Sequence, residues 1–406
     1  MRLLNYYIIG VILFLFSNNS GAQTYDSSTR NNTIAFRFFG DSINTSVQQF
    51  DTVTFNQSIN THSIRQFYNT IKNTDYEIVI AALQQFQQKN QLDDWLLYQL
   101  VRKTAQHISP KQKNYNQYTL YKWFILGELG YDVRLASRDS MLVFYVKSEE
   151  NIYDIPYFME GNYTYVCLNY HDLGYANFKE KEPLLLPLTM PSAKLSFSYK
   201  ITHVPEFDDE AYTHKSISFE YKDKAYHFDI VVNSSMNAIF KNYPVVDYEA
   251  YFNIPLSYKT YSSLIPALQK VLKGKKQKDG VDYLMRFTRN AFAYDNDQAL
   301  YGKEKRLSPE LTLLTPFSDC DDRAALFFYL VKEIYQLPMI VLAYPSHVTI
   351  AVKFDKPIGK HTIAYKNQQY SVCEPTPQSE DLNIGEISSQ LQHQPYHIAY
   401  EYNPIP

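Results

Sequence analysis

The sequence predicts an α+β protein, with two helix-and-strand regions separated by an antiparallel β-module. Three observations predict it. Apolar residues recur at helical spacing in two separate stretches, about 61–129 and about 264–335. Each stretch is followed by, or ends in, short runs that read as strands. Between the two regions, from about residue 182, the pattern changes to period-two alternation broken by turn residues.

The elements follow in order. Thr24 to about Phe55 is rich in Asn, Ser and Thr, with two apolar bursts (IAFRFFG and VTF) that predict a strand or two. Helices are expected across about 61–108, where Val79, Leu83 and Phe86 share one face and Leu97, Leu100, Val101 and Thr104 another. A further helix, about 118–129, stops at Gly130. Strands follow near 132–137, 141–147 and 163–168. The β-module is read from KLSFSYKI, SISFEY, YHFDIVV and FKNYP. Helices return at 264–272 and 281–294. A polar stretch, 295–319, is long enough to be a lid, a specificity loop or a plain surface excursion. Then come a helix (320–335) and strands at 339–343, 347–354 and 367–374, before a weakly patterned close from Ile384 to Pro406. The expected divisions are 1–23, 24–181, 182–250 and 251–406.

Residues 1–23 read as a secretory signal rather than as part of the fold. Arg2 precedes an apolar run from Tyr6 to Phe16, and SNNSGAQ forms a polar, small-residue exit. The run is too short to span a bilayer, and no second long apolar stretch follows. An uncleaved anchor is the alternative. No Cys follows the run, which argues against a lipid anchor. The expected location is the periplasm or the exterior, with no membrane span after cleavage. Hydrophobic content of 45% and charged content of 20% are ordinary for a globular chain. A net charge of −3 gives no electrostatic case for nucleic acid.

Cysteine use directs attention to the second region. Only Cys167, Cys320 and Cys373 are present, and an odd number leaves at least one unpaired within the chain. Cys320 opens a predicted helix after Ser318 and Asp319, either of which can cap it. The unpaired amides there favour a thiolate, whereas Asp319, Asp321 and Asp322 oppose it. An imidazolium would answer that opposition. His347 begins a strand in which Val348, Ile350 and Val352 share one face and His347, Thr349 and Ala351 the other. An antiparallel pairing of 347–354 with 367–374 sets His347 opposite Glu374, with Asp355–Lys366 as the connecting loop. Glu374 would orient His347, and His347 would act as base to Cys320. No CxxC, HExxH or His pair at i, i+4 supports a metal, and no cofactor is indicated.

The stretches FAYDND (292–297), SDCDDRA (318–324), YPSHV (344–348) and CEPT (373–376) resemble the transglutaminase-like core of exported bacterial proteins. The resemblance covers about 120 residues within the last third of the chain and is specific in order and spacing, though not in substrate. It implies a papain-related cysteine hydrolase fold acting as peptidase, amidase or amide-transfer enzyme on a peptide or protein substrate, in a group where some members have lost activity. Carried over by position, Cys320 is the nucleophile, His347 the base and Glu374 the orienting acid, where the family usually has Asp. Tyr294 falls where the family often has an oxyanion or groove-wall residue. An inactive transglutaminase-like scaffold or binding protein is the alternative function.

The first region reads either as a faded copy of the second or as a separate α+β domain. Sliding the chain by 206 positions superposes the helix at Leu120 on that at Leu326 and the strand at Val146 on that at Val352. In that register Cys320, His347 and Glu374 face Asn114, Met141 and Leu168, none of which can supply the chemistry.

Overall fold

A computed structural model describes residues 33–173, 182–295 and 306–404. The expected signal, 1–23, and part of the polar stretch, 296–305, lie outside the described residues. No described helix is long and apolar enough to cross a membrane.

Helices and strands are mixed, and two five-stranded antiparallel sheets dominate. The first runs in the spatial order Tyr157–Glu160, Tyr163–Cys167, Met141–Ser148, Val133–Arg138, Leu184–Leu186. The second runs Thr362–Tyr365, Gln368–Cys373, His347–Val352, Met339–Tyr344, His397–Tyr402. Each packs on one helix, Tyr115–Glu128 or Cys320–Tyr335, whose middle turns are buried on every side. Helices this apolar all round suit the inside of a fold rather than its surface. One face of each sheet joins a single continuous core. The other face forms a small satellite cluster, around Tyr145, Tyr165 and Cys167 in the first sheet and around Ala351, Tyr370 and Val372 in the second.

The central hairpin of the second sheet repeats that of the first 206 positions later: Arg138 pairs with Met141 as Tyr344 pairs with His347. The flanking parts repeat at 205. Tyr115 and Cys320 open the two helices, and Tyr157 pairs with Val166 as Thr362 pairs with Ser371. The register read from sequence is therefore corrected. Cys320 corresponds to Tyr115, not Asn114, and Glu374 to Asn169, not Leu168, while Met141 still faces His347. The helix-to-strand link is one residue longer in the second region, and the link after its central hairpin is one shorter. No ungapped slide can follow two compensating length changes.

The middle of the chain holds less sheet than expected. One long hairpin, Tyr212–Tyr221 with Lys224–Asn233, turns through Lys222 and Asp223 at positive φ. It packs on the helices Tyr258–Leu272 and Gln277–Asn290, so it supports the second region. KLSFSYKI forms no strand. Phe197, Tyr199 and Ile201 alternate into the core, but the backbone amides of Ser198 and Tyr199 go to the side chains of Asp94 and Glu150 instead of a neighbouring strand. Nor is FKNYP a strand; Phe240 closes a short helix, Met236–Phe240.

Three further differences concern the second region. The helix expected to reach Tyr294 ends at Asn290, and Ala293–Tyr294 pairs in parallel with Phe317–Ser318. The described part of the polar stretch is not a free loop, since Pro309–Leu314 is a buried helix. Strands also form at Thr362–Tyr365, inside the expected connecting loop, and at His397–Tyr402, in the weakly patterned close.

Candidate functional site

Cys320 is the first residue of its helix, with Asp319 as N-cap. The Asp319 carboxylate accepts from the amides of Asp321 (3.0 Å) and Asp322 (3.2 Å), and Asp322 accepts back from the Asp319 amide at 3.3 Å. This reciprocal cap satisfies helix donors that would otherwise be orphaned. Asp322 is also fully buried, taking the Leu307 amide at 2.8 Å and the Tyr251 hydroxyl at 3.1 Å. Asp321 is ion-paired with Arg306 at 3.1 Å. Two of the three aspartates thus have a structural task, and the third has a cation.

The thiol of Cys320 is partly exposed, whereas Cys167 and Cys373 are buried; all three are free. Sγ donates to Asp321 Oδ1 at 3.5 Å and lies beside the backbone amide of Val348, the neighbour of His347. Burial pushes the thiol pKa well up, and the charges of Asp321 and Asp319 push it further; the Val348 amide opposes them.

His347 starts the strand that packs on the Cys320 helix. Its Nε2 meets Glu374 Oε2 at 2.8 Å. The expected strand register is off by two: Ile350 pairs with Cys373, and the ladder has three pairs. That register sets Glu374 across from Thr349, on the same face as His347 but diagonal to it. The longer reach of Glu spans this diagonal. The other carboxylate oxygen, Oε1, accepts the Thr376 amide at 2.8 Å, which fixes the plane of the group. Burial by itself would lower the imidazole pKa. The hydrogen bond and charge of Glu374, with Asp321 and Asp319, outweigh burial and hold it above the ordinary value. With Nε2 engaged, Nδ1 is the nitrogen left to serve a thiol. Among the described residues no hydrogen bond joins Sγ to the imidazole.

Buried charges hold these pieces in place. The Arg289 guanidinium donates to the Glu374 carbonyl and to that of Leu382 (3.0 Å). Arg323, fully buried on the Cys320 helix, donates to the carbonyls of Arg289 (2.6 Å) and Phe292 (2.9 Å). It thereby closes the end of the Gln277–Asn290 helix, where carbonyls lack partners. Glu310 gathers the amides of Asn233 (2.9 Å) and Ser257 (2.6 Å) and the hydroxyl of Thr260 (2.5 Å). Lys215 of the long hairpin donates to the carbonyls of Leu313, Leu314 and Thr315, just before the strand that leads into Asp319. Sequence reading missed all four of these residues. The one available signal was a cation at the head of an apolar run, Arg323 before AALFF.

Tyr294 is 52% exposed and pairs with Ser318, two residues before Cys320 in the chain. Its ring centroid is 5.7 Å from the Arg323 guanidinium. Burial raises its pKa first, and Cys320 and Asp319 add to that. Among the described residues no group of three or more His, Cys, Asp or Glu is placed to hold a metal. No known family, curated protein or solved structure matches this chain.

Proposed function

We propose that the chain is a cysteine-dependent acyl-transfer enzyme of transglutaminase-like type, acting as a peptidase or amidase on peptide or isopeptide bonds. The observation that carries this reading is the 2.8 Å contact between His347 Nε2 and Glu374 Oε2, next to the one partly exposed thiol of the chain. In the reaction, Cys320 rotates from Asp321 toward Nδ1 of His347 and loses its proton there. Sγ adds to the amide carbonyl, and the C–N bond breaks as imidazolium protonates the leaving amine. Water or an amine then resolves the thioester. The amide of Cys320, with the Tyr294 hydroxyl, is the candidate donor pair for the oxyanion. The repeated sheet geometry supports a second proposal, that the first region is a duplicated and catalytically silent copy. Export to the periplasm or exterior remains part of this proposal, and it rests on residues 1–23 alone.

Rates of Cys320 alkylation by iodoacetamide test the reading across pH. Burial and Asp321 hold the pKa of the resting thiol up. The expected result, reaction well below the ordinary thiol pKa of about 8.5, therefore requires Cys320 to turn onto His347 and is slowed at least tenfold by His347→Ala. Reaction only at high pH, unaffected by His347→Ala, would sink it. That outcome would favour the second reading, a non-catalytic scaffold, which draws on the thiol's donation to Asp321 and its raised pKa.

A further inference from the structure

The first region carries a cleft of about 830 Å³, away from the thiol site, between the start of the described chain, the helix Asp94–Ile108 and the short helix Met236–Phe240. Five cations line it: Arg37, Arg102, Lys103, Lys111 and Lys241. Asp172 is the one carboxylate among its described lining residues. The chain as a whole has a net charge of −3, so this concentration does not follow from composition.

The cations are only partly neutralised. Arg37 pairs with Asp208, and Lys111 with Asp172 at 2.5 Å. Lys103 and Lys241 pair with no carboxylate among the described residues. Deeper in, donors are left over. Arg102 gives one nitrogen to Gln99 Oε1 (2.8 Å) and another to His171 Nε2 (3.2 Å). Arginine can only donate, so Nε2 accepts and the ring proton sits on Nδ1. The buried His171 Nδ1 and Gln99 Nε2 then have no hydrogen-bond partner among the described residues, and beyond its two contacts the Arg102 guanidinium has beside it the Tyr118 hydroxyl of the cleft wall. Buried donors left unpaired cost roughly 1–3 kcal/mol each, which a bound acceptor would relieve. Asp172 does not fill that role, because Lys111 already engages its Oδ1, which lies 3.3 Å from His171 Nε2.

We infer that this cleft binds a small polyanion bearing phosphate or carboxylate groups, with Arg102, His171 and Gln99 as its floor and Lys103 and Lys241 at its mouth. A planar guanidinium beside lysine ammonium groups is the donor set that such oxyanions match. The volume suits a ligand of metabolite size. This inference stands independently of the chemistry proposed for Cys320.

Isothermal titration calorimetry on the full chain tests it, with pyrophosphate and citrate as probes and glucose as the uncharged control. The expected result is saturable binding of one or both anions, none of glucose, and at least threefold weaker affinity between 50 and 200 mM NaCl. Pyrophosphate alone would identify phosphate as the recognised group, citrate alone carboxylate. The double variant Lys103→Gln, Lys241→Gln should bind at least tenfold more weakly with unchanged melting temperature. The inference is overturned if neither anion binds saturably. It is equally overturned if the double variant binds as wild type does, or if Lys273→Gln with Lys275→Gln, outside the cleft, weakens binding as much.

Discussion

Two sheets of the same strand order and nearly the same register end in different chemistry at the same place. In the second, Cys320 opens the helix, His347 opens the neighbouring strand, and Glu374 holds the imidazole at 2.8 Å. In the first, Tyr115 opens the helix and Asn169 stands where Glu374 does; Asn169 Nδ2 donates to the Tyr115 hydroxyl at 2.7 Å. Asn169 is fully buried and also takes the Phe144 amide (2.8 Å) and reaches the Leu142 carbonyl (3.0 Å). Met141 replaces the imidazole. The first arrangement is closed on itself, with donors and acceptors matched. The second keeps an imidazole–carboxylate pair and a partly exposed thiol held between Asp321 and the Val348 amide. On the proposed function, the same scaffold serves stability in one place and reactivity in the other.

That contrast can be broken at four points. Glu374→Gln should lower the proposed acyl transfer by about 10²–10⁴-fold, because the imidazole loses the carboxylate that orients and charges it. Initial rates on peptide amides would show it, and Asn169→Asp in the first sheet should leave those rates unchanged. Asn169→Leu should cost about 3 kcal/mol of stability by stranding the Tyr115 hydroxyl, the Phe144 amide and the Leu142 carbonyl. Urea midpoints would read the loss, while alkylation of Cys320 in the remaining folded protein should proceed as in wild type.

Lys122 is the next point. It is fully buried on the first helix, where the second has Phe327, and its Nζ finds no hydrogen-bond partner among the described residues; it faces the Tyr118 and Phe144 rings, with centroids 4.4 and 6.0 Å away. Burial lowers its pKa from 10.5 to about 7. Between those values the unfolded chain holds the extra proton, so the Lys122 contribution makes stability rise with pH across that window and leaves its full cost below pH 7. Lys122→Met should stabilise the protein by about 1–3 kcal/mol at pH 6 and flatten that rise in a series of urea melts. The smallest effect concerns helix ends. Gln91 and Gln336 both close helices at φ 50°, a left-handed conformation that favours Gly. Gln336→Gly should add about 0.5–1 kcal/mol. The same change at Gln91 should match it if the two regions end their helices alike.

Much of this was legible in the sequence where a pattern was both long and simple. The helices around 61–108 and 320–335 and the central hairpins follow from periodicity, and the helix start at Cys320 follows from a capping residue before an apolar run. The closeness of His347 and Glu374 was inferred from strand direction alone. Their diagonal placement was not, because ladder register depends on how the strands are covered and linked. The strand Thr362–Tyr365 falls in the segment that an eight-residue ladder between 347–354 and 367–374 leaves as loop; the observed ladder is shorter, and this segment pairs with Gln368–Cys373 instead. Tyr115 and Asn169 were missed by one residue each, for want of a gap. Arg306, Arg289 and Arg323 were invisible because what they pair with is distant in the chain. Sequence spacing says nothing of a guanidinium's carbonyl partners.

Arg323 has one more consequence. Its guanidinium rises from the first turn of the Cys320 helix and grips carbonyls at the end of the preceding long helix and just before Tyr294. Neither segment can open to solvent without stripping hydrogen bonds from the other. In hydrogen exchange the amides of 320–324 and of 287–294 should therefore belong to one cooperative unit, so that local breathing of the chain bypasses the thiol and reaches it only when the second region opens as a whole.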